Sequence, residues 1–100
     1  MAEVTVSIPS LLAPLFKGEK EVKASATTLR ELIQMLIERY GQGVGERFLD
    51  GSGRLKPVIN IYVNGRNIRF TGGLDTPLRD NDAISVLPAV AGGSNPDTSR

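Results

Sequence analysis

One stretch of this chain carries a clear helical period, and it narrows what the rest can fold into. In "TTLRELIQMLIERYG", Leu29, Leu32, Ile33, Leu36, Ile37 and Tyr40 recur at i, i+3, i+4, i+7, i+8 and i+11, which makes a single apolar stripe. Thr28 and Glu31 have the spacing of a capping box, in which side chains satisfy amide donors at the helix start. Gly41 supplies a residue that can turn left-handed and end the helix. The stripe offers apolar surface and no chemistry, so it reads as core. A lone amphipathic helix must bury that stripe against other elements, and the remaining patterned segments are strands.

"EVTVSI" alternates, with Val4, Val6 and Ile8 on one face and Glu3, Thr5 and Ser7 on the other, the period-two signature of a half-buried strand. Pro9 and Pro14 punctuate a loop whose Leu and Phe residues are expected to tuck against the core. "KEVKAS" returns as a second strand, with Val22 and Ala24 inward. In "VINIYVNGRNIRF", Asn64-Gly65 is the favoured two-residue type I′ turn. That turn pairs Val63 with Arg66, Tyr62 with Asn67, Ile61 with Ile68 and Ile59 with Phe70. Alternation then places Ile59, Ile61, Ile68 and Phe70 on one buried face. After the turn-rich "TGGLDTPLRDND" comes a last strand, with Ile84 and Val86 on one side and Ser85 and Leu87 on the other. The order ββ-α-ββ-β predicts an α+β domain, one main helix packed across a mixed sheet. The expected division is a domain over residues 1–91 and a flexible tail over 92–100, where periodicity ceases.

Composition excludes several functions. Cysteine and histidine are both absent, which removes disulfides, thiolate chemistry, the usual transition-metal ligands and the commonest general base. A nucleophilic triad would then need a Ser-x-x-Lys spacing, and none occurs. The formal charge is +1, with the basic residues scattered and no stripe with interleaved aromatics, so nucleic-acid binding is not expected. No run approaches the roughly 20 apolar residues that span a bilayer. "MAEVTVSIPS" lacks the basic and apolar regions of a signal peptide, so a cytoplasmic protein without a membrane partner is expected. The glycine-rich "GQGVGERFLDGSGRLKP" has neither the pattern nor the context of a phosphate loop. It reads as a connector, with at most one helical turn around residues 45–49. Gly72-Gly73 reads as a turn.

The chain's last apolar run, "LPAVAGG", is followed by "SNPDTSR". A glycine pair near a chain end is most often a linker; this one stands directly after the last strand. The order of elements resembles the ubiquitin-like β-grasp fold. "LRDNDAISVLPAVAGG" resembles the ending of the MoaD/ThiS sulfur carriers, an acidic turn, a strand, then Pro-x-Val-x-Gly-Gly. "INIYVNGRNIRFTGGL" and "VTVSIP" are similar to the corresponding stretches of the CysO-type carriers of cysteine synthesis. Asn81 stands where the family often has Gly, and Asn also tolerates the left-handed region. Seven residues follow Gly93, whereas the family's carriers act through a terminal glycine carboxylate.

The resemblance implies a carrier protein, not an enzyme, whose working residue is Gly93. An E1-like partner would adenylate the Gly93 carboxylate with ATP, and sulfur would displace AMP to leave a thiocarboxylate. The chain itself would bind no cofactor. Two glycines lack a Cβ and can thread a narrow channel. The resemblance implies further that residues 94–100 are removed between Gly93 and Ser94, with a JAMM-type zinc metalloprotease as candidate. The acceptor it implies is a PLP-dependent cysteine synthase. Molybdopterin, thiamin or secondary-metabolite sulfur transfer stay open, as do a ubiquitin-like protein modifier and a plain interaction module. The expected partner-binding residues are Leu87, Pro88, Ala89, Val90, Ala91 and Gly92. Phe70, Leu87, Pro88 and Val90 together offer an exposed apolar patch for the activating enzyme; the register favours the core for Phe70, and Leu87 leads because it faces away from Ile84 and Val86.

Overall fold

The computed structural model describes residues 1–88. Within them lie β1 (Ala2–Ser7), β2 (Glu21–Ala26), α1 (Leu29–Tyr40), α2 (Gln42–Phe48), β3 (Ile59–Val63), β4 (Arg66–Asn67) and β5 (Ala83–Pro88), with short 3-10 turns between some of them. The five strands form one sheet in the order β2-β1-β5-β3-β4. β1 runs antiparallel to β2 and parallel to β5, so the sheet is mixed as expected.

The alternation in β1 and β2 is realised. Val4 and Val6 are buried opposite Ala24 and Val22, while Glu3 and Ser7 face water. α1 lays Leu29, Leu32, Ile33 and Leu36 over that inner face together with Ile59, Ile61, Ile84 and Val86. Thr28 Oγ1 accepts from the Glu31 amide at 3.3 Å. Glu31 Oε1 accepts from the Thr27 amide at 2.9 Å, one residue earlier than in the standard capping box. Of the loop after β1, Leu12 and Phe16 are fully buried, whereas Leu11 is exposed.

The glycine-rich connector departs from expectation. Its first part is a second helix, α2, which buries Val44 and Phe48, and Phe48 meets Phe16 edge-on at 6.3 Å. Gly43 and Gly45 serve close packing here. A Cβ on Gly45 would lie 3.1 Å from Ile37 Cδ1, and one on Gly43 would lie 3.3 Å from Leu15 Cδ2. The glycines that read as flexibility let α2 press against α1 and the loop before it.

The β3–β4 turn is as expected, with Asn64 at φ 52° and Gly65 at φ 85° and the pairs Tyr62–Asn67 and Val63–Arg66 formed. The ladder then stops. Asn67 Oδ1 accepts from the Arg69 amide at 2.9 Å and the chain turns into a 3-10 segment, Ile68–Phe70. Ile68 still reaches the core, but Phe70 is 88% exposed, so its expected inward position and its pairing with Ile59 are corrected. An Asx-type side-chain bond competes with the ladder, and here it prevails.

Candidate functional site

Everything expected of the C-terminal arm depends on how β5 is held. β5 occupies the centre of the sheet, hydrogen-bonded to β1 on one side and β3 on the other. Its start is fixed by the acidic turn "RDND". Asp80 Oδ1 accepts from the Glu3 amide at 3.0 Å. The half of that turn that must go left-handed is Asn81, at φ 71°, whose amide donates to the Glu3 carbonyl at 2.7 Å. Buried Asp82 accepts from Asn64 Nδ2 at 2.7 Å and from the Arg79 amide at 2.8 Å. Asn64 Oδ1 in turn accepts from the Ala83 amide at 2.9 Å. These carboxylates brace the β3–β4 turn against the root of β5, which is a structural task. Asp82 sits about 20 Å from the far end of the strand, at the usual rise over six extended residues.

At that far end β3 alone still pairs with β5, through Asn60–Leu87 and Ile59–Pro88. Leu87 points away from buried Ile84 and Val86, as alternation implied, and is 50% exposed, and Pro88 is half-buried. Ala89, Val90, Ala91, Gly92, Gly93 and Ser94, the remaining arm and cleavage residues, lie outside the described residues. Val58, in the turn that leads into β3, is 51% exposed. Phe70 adds a third large exposed apolar side chain, although it was expected in the core.

A guanidinium holds this end in place. Arg69 Nη1 donates to Asn60 Oδ1 at 2.6 Å, and Nη2 reaches the carbonyls of Ile59 and Pro57 at 3.3 Å and of Lys56 at 3.5 Å. One side chain therefore gathers the chain leading into β3, the only strand among the described residues still paired with β5 at Leu87 and Pro88. Neither Arg69 nor Val58 is legible as a site residue in the sequence. The usable signal was Asn67, a turn-capping residue placed just before a segment read as strand.

Other titratable groups lie apart. The Tyr40 hydroxyl donates to Glu19, and that bond, with burial second, raises its pKa. Asp50 is held below the usual carboxylate range by the Ser52 hydroxyl, then by the amides of Arg54 and Ser52. Among the described residues no group of three or more Asp, Glu, His or Cys side chains is placed to hold a metal ion. No helix among them is long and apolar enough to cross a membrane.

The model of the ThiS family matches residues 6–93, from β1 to the second glycine of the pair. The chain belongs to the ThiS family. The sulfur carrier protein CysO of Mycobacterium tuberculosis is 49% identical over 92 residues, covering 90% of this chain and 98% of that protein. A chain of the Amycolatopsis orientalis BexX/CysO complex superposes with a TM-score of 0.82 at 43% identity, covering 90% of this chain and 99% of that one. Small archaeal modifier protein 3 of Haloferax volcanii is 38% identical over 66 residues, 66% of this chain and 70% of that protein. The ubiquitin-like β-grasp architecture is thus established, and the sulfur-carrier resemblance stands on relatives matched almost end to end.

Proposed function

We propose that this protein carries sulfur as a thiocarboxylate on Gly93. The observation that carries the reading is the family match ending at Gly93, five residues beyond a strand whose root is braced and whose neighbour β3 is held at its start by Arg69. In the proposed cycle a partner enzyme joins the Gly93 carboxylate oxygen to the α-phosphorus of ATP and releases pyrophosphate. A sulfur nucleophile attacks the acyl carbon of the adenylate, AMP leaves, and the thiocarboxylate remains. The body contributes no catalytic group; it holds a rigid base from which the acyl group is presented to one active site after another. Exposed Leu87, with half-buried Pro88 beside it, forms the last described part of the docking surface, and residues 89–92 extend it.

As the chain stands, the carboxylate of Gly93 is an amide to Ser94. The proposal therefore includes hydrolysis of that bond and loss of residues 94–100, with a zinc metalloprotease of the JAMM type as the agent. The favoured acceptor is a PLP-dependent cysteine synthase, because of the likeness to CysO, in a cytoplasmic setting. The Amycolatopsis CysO is found in complex with BexX, which supports docking of such carriers on a partner protein and keeps other acceptors in view. The likeness to an archaeal modifier protein favours one second reading, in which Gly93 is joined to lysine amines of other proteins.

Intact mass spectrometry tests the choice. After incubation with host lysate, ATP and a sulfur donor, the carrier reading expects loss of residues 94–100 and replacement of one oxygen by sulfur. A Gly93→Ala variant is expected to lose most of this conversion. A chain that keeps its full length and gains no sulfur refutes the proposal, and high-mass conjugates on a denaturing gel point to the modifier.

A further inference from the structure

The arm's root lies beside a groove that the carrier chemistry does not use. Arg30 from α1, Arg54 from the loop after α2 and Arg69 line it, over a floor that includes Leu55, Ile68 and Leu74. Residues 52–79 hold five basic residues, Arg54, Lys56, Arg66, Arg69 and Arg79, against one carboxylate, Asp75, while the whole chain carries only +1. Of those five only Arg54 and Arg69 line the groove, where they join Arg30, so three guanidiniums meet there in a chain of net charge +1.

Its charge is only partly answered from within. Asp75 pairs with Arg30 at 3.2 Å, but both side chains are more than half exposed, so the pair is weak. Arg69 donates to neutral carbonyl and amide oxygens, which orient the guanidinium and leave its charge uncancelled. The Arg54 side chain makes no hydrogen bond among the described residues, and the nearby Asp50 carboxylate answers part of its charge. Its loop is nonetheless ordered, because Asp50 Oδ1 accepts from the Ser52 and Arg54 amides, at 2.8 and 3.1 Å, and from the Ser52 hydroxyl. All three cations are arginines, whose planar forks suit carboxylates and lose less freedom on binding than lysines do. A short apolar floor under three guanidiniums fits a peptide segment that alternates acidic and apolar residues.

We propose that this groove docks an acidic segment of the enzyme that receives the arm. Arg69 ties the two places together: it lines the groove and also bonds Asn60, the residue paired with Leu87. Through Asn60 and Arg69 a partner seated on Leu87 comes within reach of the groove, where its carboxylates would speed encounter and fix orientation. The inference rests on the carrier reading for its partner, while the groove's preference for carboxylates does not.

The test separates the two. The full chain, labelled with ¹⁵N, is titrated with a hexaglutamate peptide and, separately, with inorganic phosphate at low ionic strength. Expected are amide shifts centred on Gly53, Arg54, Arg69 and Leu74 with the peptide, fading as salt shortens the screening length. Arg54→Glu is expected to weaken the peptide about tenfold, as one charge-assisted pair becomes repulsive. Lys23→Glu, the same charge change on β2, four inter-strand spacings or about 19 Å from β4, is expected to change it less than about twofold when the two variants are compared at about 0.1 M salt, where the screening length is about 10 Å. Shifts spread evenly over all basic residues, equal effects of the two variants, or a groove that answers phosphate alone overturn the proposal. With the purified adenylating enzyme, Arg54→Glu should slow association in a salt-dependent way, and identical association at every salt concentration also overturns it. A wild-type chain that never gains sulfur refutes the carrier reading instead and leaves the peptide titration as it was.

Discussion

Arg69→Ala removes the one side chain that gathers residues 56–60 at the root of the arm. Four acceptors lose a partner, but they are not equal. Asn60 Oδ1 at 2.6 Å is a strong bond, the Ile59 and Pro57 carbonyls at 3.3 Å are moderate, and Lys56 at 3.5 Å is marginal. A hydrogen bond from a charged donor contributes about 1.5–3 kcal/mol when protected from water. This guanidinium is exposed, and water can re-solvate the acceptors it leaves. We therefore expect a net loss of about 1–2 kcal/mol, most of it in the Asn60 bond. Urea unfolding of Arg69→Ala, Asn60→Ala and the double variant measures it, with a midpoint drop of roughly 1 M for the arginine variant. The coupling from that cycle should be about 1 kcal/mol. Arg69→Lys should recover less than half the loss, since an ammonium cannot span an amide oxygen and three carbonyls in one plane. Exchange protection at Asn60 should fall more than at Val4 or Val22. A coupling near zero, or a lysine variant as stable as wild type, refutes the clamp.

Ile68→Ala should cost about 3 kcal/mol because that side chain is fully buried. Phe70→Ala should change stability by less than about 0.5 kcal/mol, as for other surface positions, and thermal melts of the two compare them directly. Leu87→Arg should keep the fold and raise the KM of the activating enzyme for the carrier; unchanged activation kinetics would remove Leu87 from the interface. The pH dependence should be two-sided. Asp50 has a lowered folded pKa, so its contribution is present above the ordinary carboxylate value of about 4 and is lost as pH falls through the folded one. The Ser52 and Arg54 amide shifts should report that step. Tyr40 has a raised folded pKa, so its contribution is present below about 10 and is lost as pH rises through the folded value. Tyr40→Phe should flatten that alkaline loss of stability.

Local patterns decided much of this molecule. The stripe of α1, its Thr28 cap, the alternation of β1, β2 and β5 and the Asn64-Gly65 turn all follow from interactions spanning a few residues, and each stands as the sequence implies, with Glu31 reaching back one residue further, to the Thr27 amide. The family likeness around "LPAVAGG" is equally a property of the chain itself. Phe70 and the glycines of α2 were not legible, for one shared reason. β4 stops where Asn67 Oδ1 accepts from the Arg69 amide, and the chain that follows docks on the start of α1, through Leu29 N to the Thr76 carbonyl and Leu78 N to the Thr27 carbonyl. Those partners are distant in sequence, and alternation cannot see them. Likewise a glycine reads as freedom until a facing side chain, here Ile37 or Leu15, makes its missing Cβ a packing requirement. Arg69 completes the case. Its sequence neighbours mark it as a surface cation, and only the return of β3 beside it turns that cation into the clamp at the root of the arm.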